Sequence, residues 1–450
     1  MRWAKPFQLG CVSGRVQWFP GRPLRELSAS NVGMSRLSYR NSLLTLLSGM
    51  TFVAFTLAGQ PQTQALPHDA AIGRLETVAT FDGPMPTGVT VSRTNRIFVN
   101  FPRWGDDVPF TVAEVIHGKA VAYPDATVND WPGRKSADPT QYKDQTQNEN
   151  HFVSVQSVVV DPANRLWVLD TGSPMLKNAL PGGPKLVAID LTTNKIIKRI
   201  LLPPSIAGPT SYMNDVRFDL RIGSAAGADG IHGIAYITDS SEKGPTGFVI
   251  VDLATGQAWR KLDNTASVKP EPGFLMFAEG RPLYKTEPDQ PVKPGTFAND
   301  SLAISADGSK LFYCPISATK LYSIPTAALG DRNLSAEATA GQVALVTGKE
   351  SSDGLESDAA GNVYSTAPAS GSILKIGPNS HFANGVEVTT LVHDPRLLWP
   401  DTMSLSDDGY LYVTANQLFN QPTMHNGKDL RQKPYVLFRI KVDAKPVRLK

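Results

Sequence analysis

SVQSVVVDPANRLWVLDTG, residues Ser154 to Gly172, reads as two short strands around a turn. Val155, Ser157, Val159 and the run to Val160 form a short apolar strand, Asp161-Pro162-Ala163-Asn164 is turn chemistry, and Leu166-Trp167-Val168-Leu169 is a second strand. The same hairpin recurs as GVTVSRTNRIFVNF from Gly88, SLAISADGSKLFYCP from Ser301, GLESDAAGNVYSTAP from Gly354 and TMSLSDDGYLYVTAN from Thr402. A looser copy from Asn214 carries an insertion in its turn, which makes six. One such sheet cannot bury both of its faces alone, so six copies imply a radial or stacked β repeat. Equivalent strand starts at Gly88, Gln156, Asn214, Asn299, Asp353 and Asp401 are separated by 68, 58, 85, 54 and 48 residues. These intervals suit four-stranded blades with insertions better than the roughly 40–45 residues of a tight repeat. The expected fold is all-β, a six-bladed β-propeller with long inter-strand loops.

Third and fourth strands follow each hairpin. KLVAIDLTTNKIIKRILLP from Lys185 and GFVIVDLATGQAWRKL from Gly247 share an apolar strand ending in Asp-Leu, a polar turn and an outer strand; VLFRIKVD from Val436 repeats its first half. An open ring would expose two sheet edges, so Leu75 to Phe81 is expected to pair into the same blade as Val436 to Val442. Arg103 to Asn150 and the proline-rich stretch Lys261 to Ala298 read as long irregular insertions on the faces, of the kind that form lids and specificity loops.

Residues 1–65 stand outside the repeat and carry seven Lys or Arg against one acid, Glu26. Arg36 and Arg40, the apolar run Leu43 to Leu57 and Thr63-Gln64-Ala65 read as an export leader, with Met34 an alternative start. The run is shorter than the roughly 20 residues of a spanning helix. The expected location is therefore extracellular or periplasmic, with residues 66–450 a single propeller domain free of the membrane. The formal net charge of +3 reflects the leader: subtracting its seven bases from 44 and its one acid from 41 leaves 37 and 40. No basic stripe with interleaved aromatics remains, which excludes a nucleic-acid partner. Of two cysteines, Cys11 lies in the leader and Cys314 reads as a buried small hydrophobe, so the core and ring closure must hold the fold without disulfides.

Several stretches carry a family resemblance. NRIFVNFPRWGDDVPFTVAEV, FVSVQSVVVDPANRLWVLDTG, AYITDSSEKGPTGFVIVDLATGQAWR, LFYCPISATKLYSIPTAAL and LLWPDTMSLSDDGYLYVTANQL resemble successive signatures of the yellow and major royal jelly protein family. The resemblance implies a secreted six-bladed propeller and, for some relatives, an aromatic or amine ligand in the channel or dopachrome tautomerisation. The insect disulfide cysteines are missing, which suggests a bacterial branch.

In a propeller the innermost strands begin at one mouth of the central channel, so the strand-start residues converge. Here they are Gln156, Asn214 with Asp215, Asn299 with Asp300, Asp353 and Asp401, with Gly88 leaving room in the first blade: a ring of amides and carboxylates with Phe152, Tyr212, Phe297 and Trp399 beside it. Such a ring can hold a small aromatic or amine ligand. Asp353 or Asp401 with His151 could move a proton. The pattern also resembles, more distantly, the regucalcin and gluconolactonase lactonases, whose metal is held by a Glu, two Asn and an Asp. Asn214, Asn299 and Asp353 would fill three of those places for Ca²⁺, while the Glu expected near Gly88 is missing. No nucleophile motif, zinc spacing or phosphate-binding glycine loop occurs. Three readings stand open: a ligand-binding propeller, a tautomerase and a metal-dependent lactonase. The oligomeric state is not set by any of these features.

Overall fold

The computed structural model describes residues 69–450; the leader expected over residues 1–65 lies outside the described residues. Six four-stranded antiparallel sheets follow one another along the chain. The innermost strands are Val89–Val91, Val155–Val160, Met213–Asp219, Asn299–Ile304, Leu355–Ser357 and Pro400–Leu405, which begin blades 1 to 6. Each touches the next, and the sixth returns to the first, so the ring is closed. This is the six-bladed propeller expected from the repeats.

Closure follows the expected route. Glu76–Phe81 is the outer strand of blade 6 and pairs with Tyr435–Lys441, placing Phe81 opposite Tyr435 and Glu76 opposite Arg439. The Arg439 guanidinium donates to Glu76 at 3.0 Å across the seam. Phe81 packs edge-on against Phe101 of blade 1, with ring centroids 5.4 Å apart. The seam is therefore sealed by backbone pairing and by apolar contact, and no bare edge is left there.

Burial decreases from the channel outward, as the residue types dictate. Asn299–Ile304, Ile234–Asp239 and Gly247–Asp252 are buried throughout, whereas the outer strand Lys195–Leu201 alternates charged or exposed positions with covered ones. Strands covered on both faces need continuous apolar runs; an outer strand needs only one apolar side. The hairpin turns owe their shape to an aspartate. Asp161 Oδ1 accepts the amides of Ala163 and Arg165 while Asn164 takes a φ of 63°, and Asp358 holds the amides of Ala360 and Asn362 in the same way.

The segment Arg103 to Asn150 differs from its expected form. Part of it, Val112–Ile116 and Lys119–Ala122, completes blade 1, and only the remainder is loop and short helix. Polar and charged residues in those strands masked the apolar alternation. Lys261 to Ala298 is an insertion as expected, carrying two minimal ribbons, Phe277–Ala278 with Arg281–Pro282 and Tyr284–Lys285 with Lys293–Pro294. At the turn ends of the blades the C-terminal tail runs past blade 5, where Ala359 N donates to Lys445 O at 2.8 Å, to blade 3, where Leu220 N donates to Leu449 O at 2.9 Å. Among the described residues no helix is long and apolar enough to cross a membrane.

Candidate functional site

The innermost strands begin irregularly, and that irregularity builds the site. Gln156 is an extra residue between the pairs Val155–Asp170 and Ser157–Leu169, and Asp300 is extra between Asn299–Pro315 and Ser301–Cys314. In blades 3 and 6 two residues, Asn214 with Asp215 and Asp401 with Thr402, stand where the partner strand offers one. A bulge of this kind re-aims a side chain that regular alternation would send elsewhere. Threonines on the neighbouring strands take up the freed amides: Thr238 Oγ1 accepts from Asp215 N, and Thr366 Oγ1 from Asp353 N, both at 3.0 Å.

Adjacent inner strands also approach closely. A Cβ on Gly354 would lie 2.0 Å from the Asp401 carbonyl oxygen, a backbone atom with no freedom to swing aside. Gly354→Ala should therefore cost about 1–3 kcal/mol and displace Asp401, read as a lower melting temperature. An unchanged melting temperature would refute the close approach.

The re-aimed residues surround a cavity of about 660 Å³ at the mouth of the channel. Asp300, Asp353 and Asp401 form its floor, and Trp104, Tyr212, Phe297, Leu418 and Met424 contribute to its walls. The three carboxylates are almost entirely buried. Burial, with the mutual repulsion of neighbouring carboxylates, holds Asp300 and Asp401 well above the usual carboxylate range. Asp353 is pushed up to about 7 by burial, against the opposing effect of the Trp399 indole N–H, which donates to its Oδ2. Asn416 donates to Asp401 Oδ2 at 2.6 Å and Thr402 to Oδ1 at 3.0 Å. Among the described residues, none of the three carboxylates has a cationic side chain as a hydrogen-bond or ion-pair partner.

A directional chain of hydrogen bonds ends on this floor. Trp104 Nε1 donates to the Tyr212 hydroxyl at 2.7 Å, which donates to Gln156 Oε1 at 2.9 Å. Gln156 Nε2 donates to Asn214 Oδ1 at 3.3 Å, and Asn214 Nδ2 donates to Asp300 Oδ2. Each donor points toward the carboxylate, the arrangement that favours its charged form. Beneath the floor, Arg217 donates to both oxygens of Asp215 at 2.9 and 2.8 Å and stands 4.0 Å from Glu356. Trp399 sits in the left-handed region at φ 59°, an uncommon conformation for a bulky side chain, which the packing around its indole holds in place. Its indole stacks on Phe419 and meets Phe297 edge-on, with centroids 6.2 and 6.4 Å away.

Of the residues singled out from sequence, Gln156, Tyr212, Asn214, Phe297, Asp353 and Asp401 line the cavity. Trp399 acts one layer behind, through Asp353. Three others are elsewhere. Phe152 is buried among Phe98, Tyr123 and Val128, its amide tied to Val128 O, because it precedes the bulge on the side facing the blade interior. His151 caps the helix Gln145–Asn150, its Nδ1 2.9 Å from Gln147 O, and lies outside the cavity, so it is no partner for the aspartates. Asn299 is fully buried and donates to Gly247 O; the bulge sends Asp300, one residue later, to the cavity instead.

The residues named for calcium therefore do not meet at one point: Asn214 and Asp353 face the cavity and Asn299 does not. Blade 1 offers no carboxylate there, since the space beside Gly88 is filled by the Asn100 amide. Among the described residues no group of three or more His, Cys, Asp or Glu is arranged to hold a metal ion. Trp104 was missing from the expected set, although it stands in the FPRW stretch; Asp300 was expected at the channel mouth together with Asn299, and it is Asp300 that lines the cavity.

Comparison with known proteins places this chain in a family. The Major royal jelly protein family matches residues 153–446, most of the propeller. The chain belongs to that family. Among its curated relatives, Yellow-related salivary protein M10 of Phlebotomus duboscqi is 27% identical over 253 residues, 54% of this chain and 58% of the relative. Major royal jelly protein 1 of Apis mellifera is 26% identical over 176 residues, covering 39% of this chain and 37% of its own length. This royal jelly family member thus spans little more than half the length of the first and less of the second. Among solved structures, a calcium-binding regucalcin from Agrobacterium tumefaciens is similar over 82% of this chain and 95% of its own, at 12% identity and a TM-score of 0.45. A luciferin-regenerating enzyme is similar over 85% of this chain and 100% of its own, at 11% identity and a TM-score of 0.46.

Proposed function

We propose that the channel mouth binds a small aromatic amine, its ammonium on Asp300, Asp353 and Asp401 and its ring against Phe297, Tyr212 and Trp104. The observation carrying this reading is the floor of three buried carboxylates that no cationic side chain among the described residues pairs with. Buried like charges are costly unless a counter-charge joins them, and a ligand cation would supply it. Aromatic walls over an anionic floor match an amine with a flat body. Export is part of the same proposal, resting on the leader read in residues 1–65.

Calorimetric titration with tyramine and tryptamine at neutral pH tests the binding. Saturable binding is expected, with Asp300→Asn weaker by about tenfold or more. Affinity should rise from mildly acidic to mildly alkaline pH, because the carboxylates must ionise to meet the ammonium. Prior addition of Ca²⁺ should leave the affinity unchanged. Absence of heat with either amine, or an Asp300→Asn variant that binds as well, would sink the proposal.

A second reading is favoured by Asp353 alone. A carboxyl that titrates at about 7 exchanges its proton readily at neutral pH, which suits tautomerisation of a dopachrome-type ligand. Asp353 would take the proton from ring carbon and Asp401 or bound water would return one to oxygen. Loss of dopachrome colour that disappears in Asp353→Asn would support it; equal rates in both would reject it.

A further inference from the structure

The cavity carries opposite charges at its two ends. Its floor is the aspartate trio; its rim bears Lys177, Lys243, Lys285 and Lys293 against Glu242 and Glu287. Lys285 is the distinctive one. It lies on the ribbon Tyr284–Lys285 of the proline-rich insertion, is only 9% exposed, and holds its Nζ 5.0 Å from the Phe297 ring centroid. Its ammonium is paired with Glu242, a residue left 43% exposed. Phe297 then meets Trp399 edge-on at 6.4 Å, and the Trp399 indole N–H is bound to Asp353.

We infer that the ligand is dipolar along its length: an aromatic amine bearing an acidic group, carboxylate, sulfate or phosphate, at the end of the ring remote from the nitrogen. This rests on the amine reading above. The ammonium meets the aspartate floor, the ring lies against Phe297, and the acid reaches Lys285 by displacing Glu242, which occupies that position in the ligand-free protein. An α-amino acid does not fit this arrangement, because its two charges sit on neighbouring atoms while the protein's are at the floor and the rim. Burial, with Lys293 nearby, draws the Lys285 ammonium down to about 8, so it is protonated at neutral pH and poorly solvated, a state in which an anionic partner is gained at little cost.

The test compares tyramine with 4-(2-aminoethyl)benzoate by calorimetry on the mature chain. The benzoate should bind about tenfold tighter or more. Lys285→Met, which keeps an apolar stem over Phe297, should abolish the preference and bring the two ligands to equal affinity. Glu242→Gln should widen the preference, since the competing acid is gone. Equal affinities in the unaltered protein, or a preference that survives Lys285→Met, would overturn the dipolar assignment and leave the amine site standing. Failure of both ligands to bind would remove the amine reading itself, and this inference with it.

Discussion

Arg217→Met is expected to lower the stability of the propeller by about 3–5 kcal/mol, the range for breaking a buried ion pair from one side. The guanidinium sits inside the channel, donating to Asp215, to Val216 O and to Leu355 O, with Glu356 of blade 5 at 4.0 Å. It is the group that makes Asp215 and Glu356 tolerable there. Burial already raises the Glu356 carboxyl above its ordinary range, and Arg217 opposes that rise. Without the arginine, two carboxylates on neighbouring walls would face each other uncompensated. Denaturant unfolding should show the loss directly. The triple replacement Asp215→Asn, Arg217→Met and Glu356→Gln should recover most of it, because neutralising the whole cluster removes the charges that need pairing. A single variant as stable as the parent would show that solvent reaches this layer and that the pairing is unimportant.

Asp353→Asn should act in the opposite direction, and only above acid pH. The folded carboxyl titrates at about 7, whereas an unfolded aspartate titrates near 3.9. Between those values the folded state holds the extra proton, so stability falls as pH rises and levels off above the folded value. Asparagine carries no such dependence and still offers an oxygen to the Trp399 indole. The variant should match the parent near the unfolded pKa and exceed it at alkaline pH, by on the order of 4 kcal/mol. Melting temperatures followed across that range in ligand-free protein decide the matter. A parent that gains stability relative to the variant on alkalinisation would contradict the burial of this carboxyl. Under the proposed amine reading this strain is stability set aside for binding, and the variant should lose amine affinity as it gains heat resistance.

The six hairpins, the number of blades and the closing strand before Phe81 follow from local patterns, because alternation and Asp-Asn or Asp-Gly turns act over a few residues. The convergence of the strand starts was legible too, and Gln156, Asn214, Asp353 and Asp401 do reach the cavity. Which member of the Asn299–Asp300 pair faces the cavity was not, since a bulge shifts the facing residue by one and strict alternation cannot anticipate it. Nor was the distance of His151 from the site, because the helix ending at Asn150 turns it onto the surface side of the insertion.

By itself, then, the sequence determined the repeat, the ring and the presence of acids and aromatics at one channel mouth, all properties of residues close together in the chain. Tertiary structure alone decided which acids became a buried trio, that Trp399 binds one of them and that Lys285 stands over Phe297 at the rim. The physical reason is that burial, charge repulsion and hydrogen bonding depend on distances between blades, and those distances exist only once the ring has closed.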